Sequence, residues 1–307
     1  MTAVSLGVSL AFGSAVTGAG ITSRQKSFDP WNTMDGRVFC QLLEHHPEGR
    51  AVTGFIPYCG AAPVPGALHW NLDPSLIALL AILAVAHLSF ARSLGVAKRD
   101  LGACALGWLI LTLAFITPLC NLSVALFSAR VTQHMAIVLL AAPMIARGLM
   151  PTHSFGRLWL PNMFALGATF VFAAIFWVWH SPAFYDETLR NNVVYWTMHV
   201  TTVAAALALW TAVFASSAAV AFLLLFATGL QMSLLGALLT FAGAPLFSVH
   251  QFTTAAWGLT WLQDQQLGGL VMWIPAGLLL TGYSALALGA ALRLDSPIAS
   301  AAEEKVA

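Results

Sequence analysis

The stretch Arg130-Val131-Thr132-Gln133-His134-Met135-Ala136-Ile137-Val138-Leu139-Leu140-Ala141-Ala142-Pro143 is an apolar run that carries an arginine, a glutamine and a histidine. At about 100° per residue, positions 130, 133 and 134 share one helical arc, while Ile137, Leu140 and Ala141 carry the helix onward. That arc cannot face lipid. An ionisable group in hydrocarbon costs roughly 3 kcal/mol or more, so an Arg/His face at membrane depth marks a candidate functional site turned toward a bundle interior.

The rest of the chain agrees with a membrane setting. Of 307 residues, 59% are hydrophobic and 8% charged, and the mean hydropathy is +0.81, outside the range of soluble domains. The expected fold is all-α, a polytopic transmembrane helical bundle of about seven spans, placed near 75–92, 101–119, 122–146, 159–181, 191–214, 217–242 and 268–291, each close to the ~20 residues a bilayer demands. Residues 1–73 read as an export-segment-like start, uncleaved or poorly cleaved, followed by a polar extracytoplasmic arm. Residues 74–293 read as the membrane domain and 294–307 as a cytoplasmic tail. Between the last two spans, Trp257 and Trp261 lie four apart and suit a helix lying in the membrane interface.

Short loops set the orientation. Arg92, Lys98 and Arg99, then Arg147 and Arg157, then Arg293 and Lys305 fall on one side, against Arg190 on the other, so the positive-inside rule places the arm outside and the tail inside. His134 and His199 then lie at matched depth in the outer half. His69, His180 and His250 lie at or beyond the outer surface, and His45 and His46 in the arm. Histidine, methionine and cysteine are ligands that select copper(I), and Met135, Met198 and Met272 accompany these histidines. The bland counterparts are a helix–helix hydrogen bond for a single membrane histidine, gap-filling for the methionines, snorkelling for Arg130, and solvated loop charges for Asp186, Glu187 and Asp264. Cys40 and Cys59 pair or remain free thiols; spacing does not decide between them.

Several classes fall away. The lysines are Lys26, Lys98 and Lys305, so no span offers one for a retinal Schiff base, and no span holds an Asp or Glu for proton coupling. A formal net charge of +1 without basic runs gives no nucleic-acid footprint. No HExxH, phosphate loop or nucleophile motif nominates an enzyme.

Four blocks carry a resemblance: His69-Trp70-Asn71-Leu72-Asp73-Pro74; Gln133-His134-Met135 through Ala142-Pro143; Trp179-His180-Ser181-Pro182-Ala183-Phe184-Tyr185-Asp186; and Asp264-Gln265-Gln266-Leu267-Gly268-Gly269-Leu270-Val271-Met272-Trp273-Ile274-Pro275. With His199 and Trp210, eleven residues apart, they make residues 69–292 resemble the CtaG proteins of the caa3 type, multi-pass bacterial membrane proteins linked to cytochrome c oxidase assembly and copper delivery. The resemblance implies an assembly factor acting with oxidase subunits or other assembly factors and handling copper on the outer face. His134 and His199 are the expected ligands, His180 and His69 entry or second-site residues, and Met135 and Met198 soft auxiliaries. Many members have a histidine where this chain has Arg130, and a Glu-His pair preceded one turn earlier by a histidine where it has Met198-His199 and Tyr195. Two alternatives remain: a b-type haem protein with two axial histidines, and a ligand-free scaffold.

Overall fold

A computed structural model describes residues 55–150 and 162–294, all in one compact unit that begins at Thr53. The expected export segment, Cys40, the His45–His46 pair, His153, Arg157 and the tail lie outside the described residues. Among the described residues the protein is all-helical: α1 (Pro74–Ser93), α2 (Lys98–Ile116), α3 (Pro118–Ala125), α4 (Phe127–Arg147), α5 (Asn162–Trp179), α6 (Pro182–Thr188), α7 (Asn192–Ala215), α8 (Ala218–Thr240) and α9 (Trp261–Leu294). Six are long and apolar enough to cross a membrane; the expected fourth span becomes a seventh only when α5 and α6, bent by 76°, are taken together.

The helix starts follow from local chemistry. Asp73 caps α1, its Oδ1 accepting from the Ser75 amide at 2.9 Å, with Pro74 supplying a first turn that needs no donor. Asn191 caps α7 the same way, accepting from the Val193 amide at 2.8 Å. The expected third span is broken: Leu126 adopts an extended backbone (φ −128°, ψ 130°) that separates α3 from α4.

α4 is the centre of the bundle. Of its span 78% is buried inside the protein, against 17% for α1, because α2, α3, α7 and α9 all pack on it while α1 lies outside α2. The exterior is apolar instead, with Ile82, Phe170, Leu223 and Leu278 exposed, the reverse of a soluble domain and the surface a bilayer solvates. Close crossings need glycine: a Cβ at Gly268 would sit 2.4 Å from Phe127 Cδ1, and one at Gly269 2.7 Å from the Gly236 carbonyl.

Midway along α4, residues Ala136–Ala141 form a π-helical turn. In that wider register the Val138 carbonyl would bond the amide five residues on, which is Pro143 and has no N–H. Trp210 of α7 takes the vacated acceptor, its Nε1 donating to the Val138 carbonyl at 2.8 Å.

Three expectations are corrected. No single interfacial helix holds both tryptophans: Trp257 ends a 3-10 turn and donates to the Pro63 carbonyl at 3.1 Å, while Trp261 opens α9 and donates to the Phe247 carbonyl at 2.8 Å. The last helix therefore begins at Trp261 rather than near 268. Cys59 is bonded to Cys120, with Cα atoms 5.6 Å apart, not to Cys40 and not free.

Candidate functional site

From its start beside α9, α4 carries its polar arc inward, and Arg130, Gln133 and His134 are 1%, 0% and 6% exposed. Gln133 leaves the arc to bind α2, its Nε2 donating to the Ala114 carbonyl at 2.7 Å. The Arg130 guanidinium carbon lies 5.2 Å from the Tyr185 ring centre and 5.7 Å from that of Tyr195, and its Nη2 is 3.9 Å from Met198 Sδ.

One turn deeper, His134 meets His199 of α7, ring centroids 5.2 Å apart and nearly perpendicular. His199 Nδ1 is 3.0 Å from the Tyr195 carbonyl. A carbonyl only accepts, so Nδ1 carries the proton and Nε2 presents a lone pair. Nε2 of His199 and Nε2 of His134 are both buried without a hydrogen-bond partner. The structure thus brings together Arg130, His134, Met198 and His199.

The other expected residues separate from this core by degrees. His180 is buried within electrostatic range of Arg130 and His134, its Nδ1 donating to the Phe176 carbonyl at 2.7 Å. Met135 and Met272 pack in the apolar core. His69 is exposed and lines a separate cavity of about 370 Å³ between the arm and α3, with Tyr58, Trp70 and Asn121. Asp264 and Gln265 are buried, not solvated: Gln265 accepts from the Leu246 amide at 2.6 Å, holding the α8–α9 connection. Trp273 packs edge-on against Phe241, so with Gly268 and Gly269 this block builds helix contacts. Asp186 is also buried, bonded to the Ser248 hydroxyl and amide.

Residue-type reasoning alone missed the aromatic walls. Tyr185 and Tyr195 enclose Arg130; Tyr195 sits one turn before His199, the available signal. His250 joins the wall, its Nε2 2.8 Å from Tyr185 Oη, and burial, reinforced by the Arg130 charge, pushes it down to about 3, keeping it neutral. The disulfide roofs the cluster: Tyr195 Oη, the only possible donor of that pair, points at Cys59 Sγ over 3.2 Å. Among the described residues no three His, Cys, Asp or Glu side chains converge to hold a metal ion.

No curated protein and no solved structure matches this chain. A family model described as cytochrome c oxidase caa3 assembly factor (Caa3_CtaG) matches residues 82–293, a stretch that runs from α1 to the end of α9 and contains Arg130, His134 and His199. The chain therefore belongs to the cytochrome c oxidase caa3 assembly factor family.

Proposed function

We propose that this protein assists assembly of a respiratory haem–copper oxidase by handling copper(I) as cargo in the outer half of the membrane, as a carrier rather than an enzyme. The observation that carries the reading is the His134–His199 pair, two buried imidazoles 5.2 Å apart whose Nε2 atoms lack partners. The residues fit the cargo: imidazole nitrogen and the Met198 thioether are donors of the kind that select copper(I). His134 and His199 would hold the ion, with Met198 as auxiliary and His180 on the approach. The scaffold alternative leaves two orphaned buried nitrogens unexplained. The haem alternative requires a porphyrin plane between rings that already touch edge to face.

The Cys59–Cys120 bond supports an arm facing outward, since disulfides persist in oxidising compartments. Oxidase subunits or other assembly factors are the partners this reading requires.

The test is copper stoichiometry of the protein purified from copper-supplemented cells. Wild type is expected to hold copper that His134→Ala and His199→Ala lose, and neither variant to restore oxidase activity to a deletion strain. Full complementation by both would refute the site assignment, and a Soret band in the purified protein would point to haem.

A further inference from the structure

Arg130 is a fixed cation, 1% exposed, in the middle of a bundle. No carboxylate lies within 4.0 Å of it among the described residues, where the ion pairs are Arg147–Asp100 and Arg190–Asp186. Asp264, on the helix next to α4, is engaged by the amides of Phe127 and Ser128. The faces of Tyr185 and Tyr195 share part of the charge, but ring faces do not satisfy N–H groups, and Nε and Nη1 are buried with no acceptor. Stranded donors on a buried charge cost more than stranded neutral ones. His134 and His199 do not relieve the deficit, since an imidazole brings no negative charge, and a bound copper(I) would add a second positive one.

We propose that Arg130 holds a small monovalent anion, a halide or a simple carboxylate, against the His134–His199 pair. One guanidinium balances one negative charge, and the walls of Tyr185, Tyr195 and Met198 offer no second cation for a phosphate or sulfate. Resting on the copper reading, the anion held by Arg130 offsets the guanidinium charge, so that copper(I) meets a neutral core rather than a cationic one. Arg130 is then a positioning and charge-balancing residue, not a copper ligand.

The full chain in detergent, as wild type and as Arg130→Met, is melted in sodium bromide, sodium acetate and sodium gluconate of equal ionic strength, gluconate serving as the bulky reference anion. Wild type is expected to melt higher in bromide or acetate than in gluconate, because a ligand bound to the native state stabilises it; Arg130→Met loses the difference. Bromide alone identifies a halide site, and acetate with it a carboxylate-sized one. Copper(I) is then titrated against a chromophoric competitor: wild type is expected to bind about tenfold more tightly with the anion than with gluconate, and Arg130→Met equally in both. Complexation of copper by free bromide is common to both proteins and cancels in that comparison. Anomalous scattering from bromide-soaked wild-type crystals locates the ion without any variant. An anion effect absent from wild type, or undiminished in Arg130→Met, overturns the proposal. Absence of copper binding in every salt would defeat the copper reading, while the melting comparison still decides the anion.

Discussion

Asp264 reaches from α9 to the exposed amino end of α4 and closes on Ser128, its Oδ1 accepting from the Ser128 amide at 3.1 Å and from the Ser128 hydroxyl at 2.6 Å. Oδ2 takes the Phe127 amide at 2.7 Å. A carboxylate from another helix thus does what an N-cap side chain does, at the break that sets the depth of Arg130 and His134. Asp264→Ala leaves these buried donors empty and is expected to destabilise the protein by roughly 2 kcal/mol or more, read as a lower melting temperature; Asp264→Asn, which keeps an acceptor, is expected to lose about half as much. Equal melting of wild type and Asp264→Ala would contradict the cap.

The Trp210–Val138 bond exists because Pro143 cannot donate. Trp210→Phe is expected to cost about 1 kcal/mol in wild type, and clearly less in a Pro143→Ala background, where the restored amide can take up a freed carbonyl of α4. A double-mutant cycle with no coupling would separate the two features.

The Cys59–Cys120 bond closes a loop with a sequence separation of 61. Loss of that constraint in Cys59→Ser or Cys120→Ser is expected to lower stability by roughly 2–4 kcal/mol. Non-reducing peptide mapping checks the pairing, and a Cys40–Cys59 peptide would contradict it.

At the foot of the arm, hydrogen bonds from Ser75 and from the Tyr58 hydroxyl, the latter at 2.5 Å, hold Asp73 down at about 2, below its ordinary 3.8. Burial and the Asp73 carboxylate push Tyr58 up, keeping it a donor. A depressed carboxyl stabilises the fold above its unfolded value, and that contribution fades as pH falls from about 4 toward 2. Melting of wild type is expected to decline across that window more steeply than melting of Asp73→Asn.

The span pattern was legible because lipid imposes both length and composition on a helix. The depth match of His134 and His199 followed from counting rise along two helices. The start of α9 was not legible: Asp264 and Gln265 look like loop residues by type, yet both turn inward to satisfy backbone groups of neighbouring segments. The tyrosine walls were hidden for a related reason, since Tyr185 reaches Arg130 only through the bend between α5 and α6. Cysteine pairing depends on how the arm folds back over α3, where Asn121 Nδ2 donates to the Cys59 and Ala61 carbonyls, each at 3.0 Å.

That fold-back also orders the protein's biogenesis. Cys59 precedes α1 and Cys120 follows α2, so the two sulfurs meet only after both helices have been threaded as a hairpin and the chain has returned to the side it left. The bond is therefore a record of completed insertion: a chain stalled with α2 outside the bilayer would keep both thiols, and the oxidised fraction of newly made protein would report how many copies have passed that step.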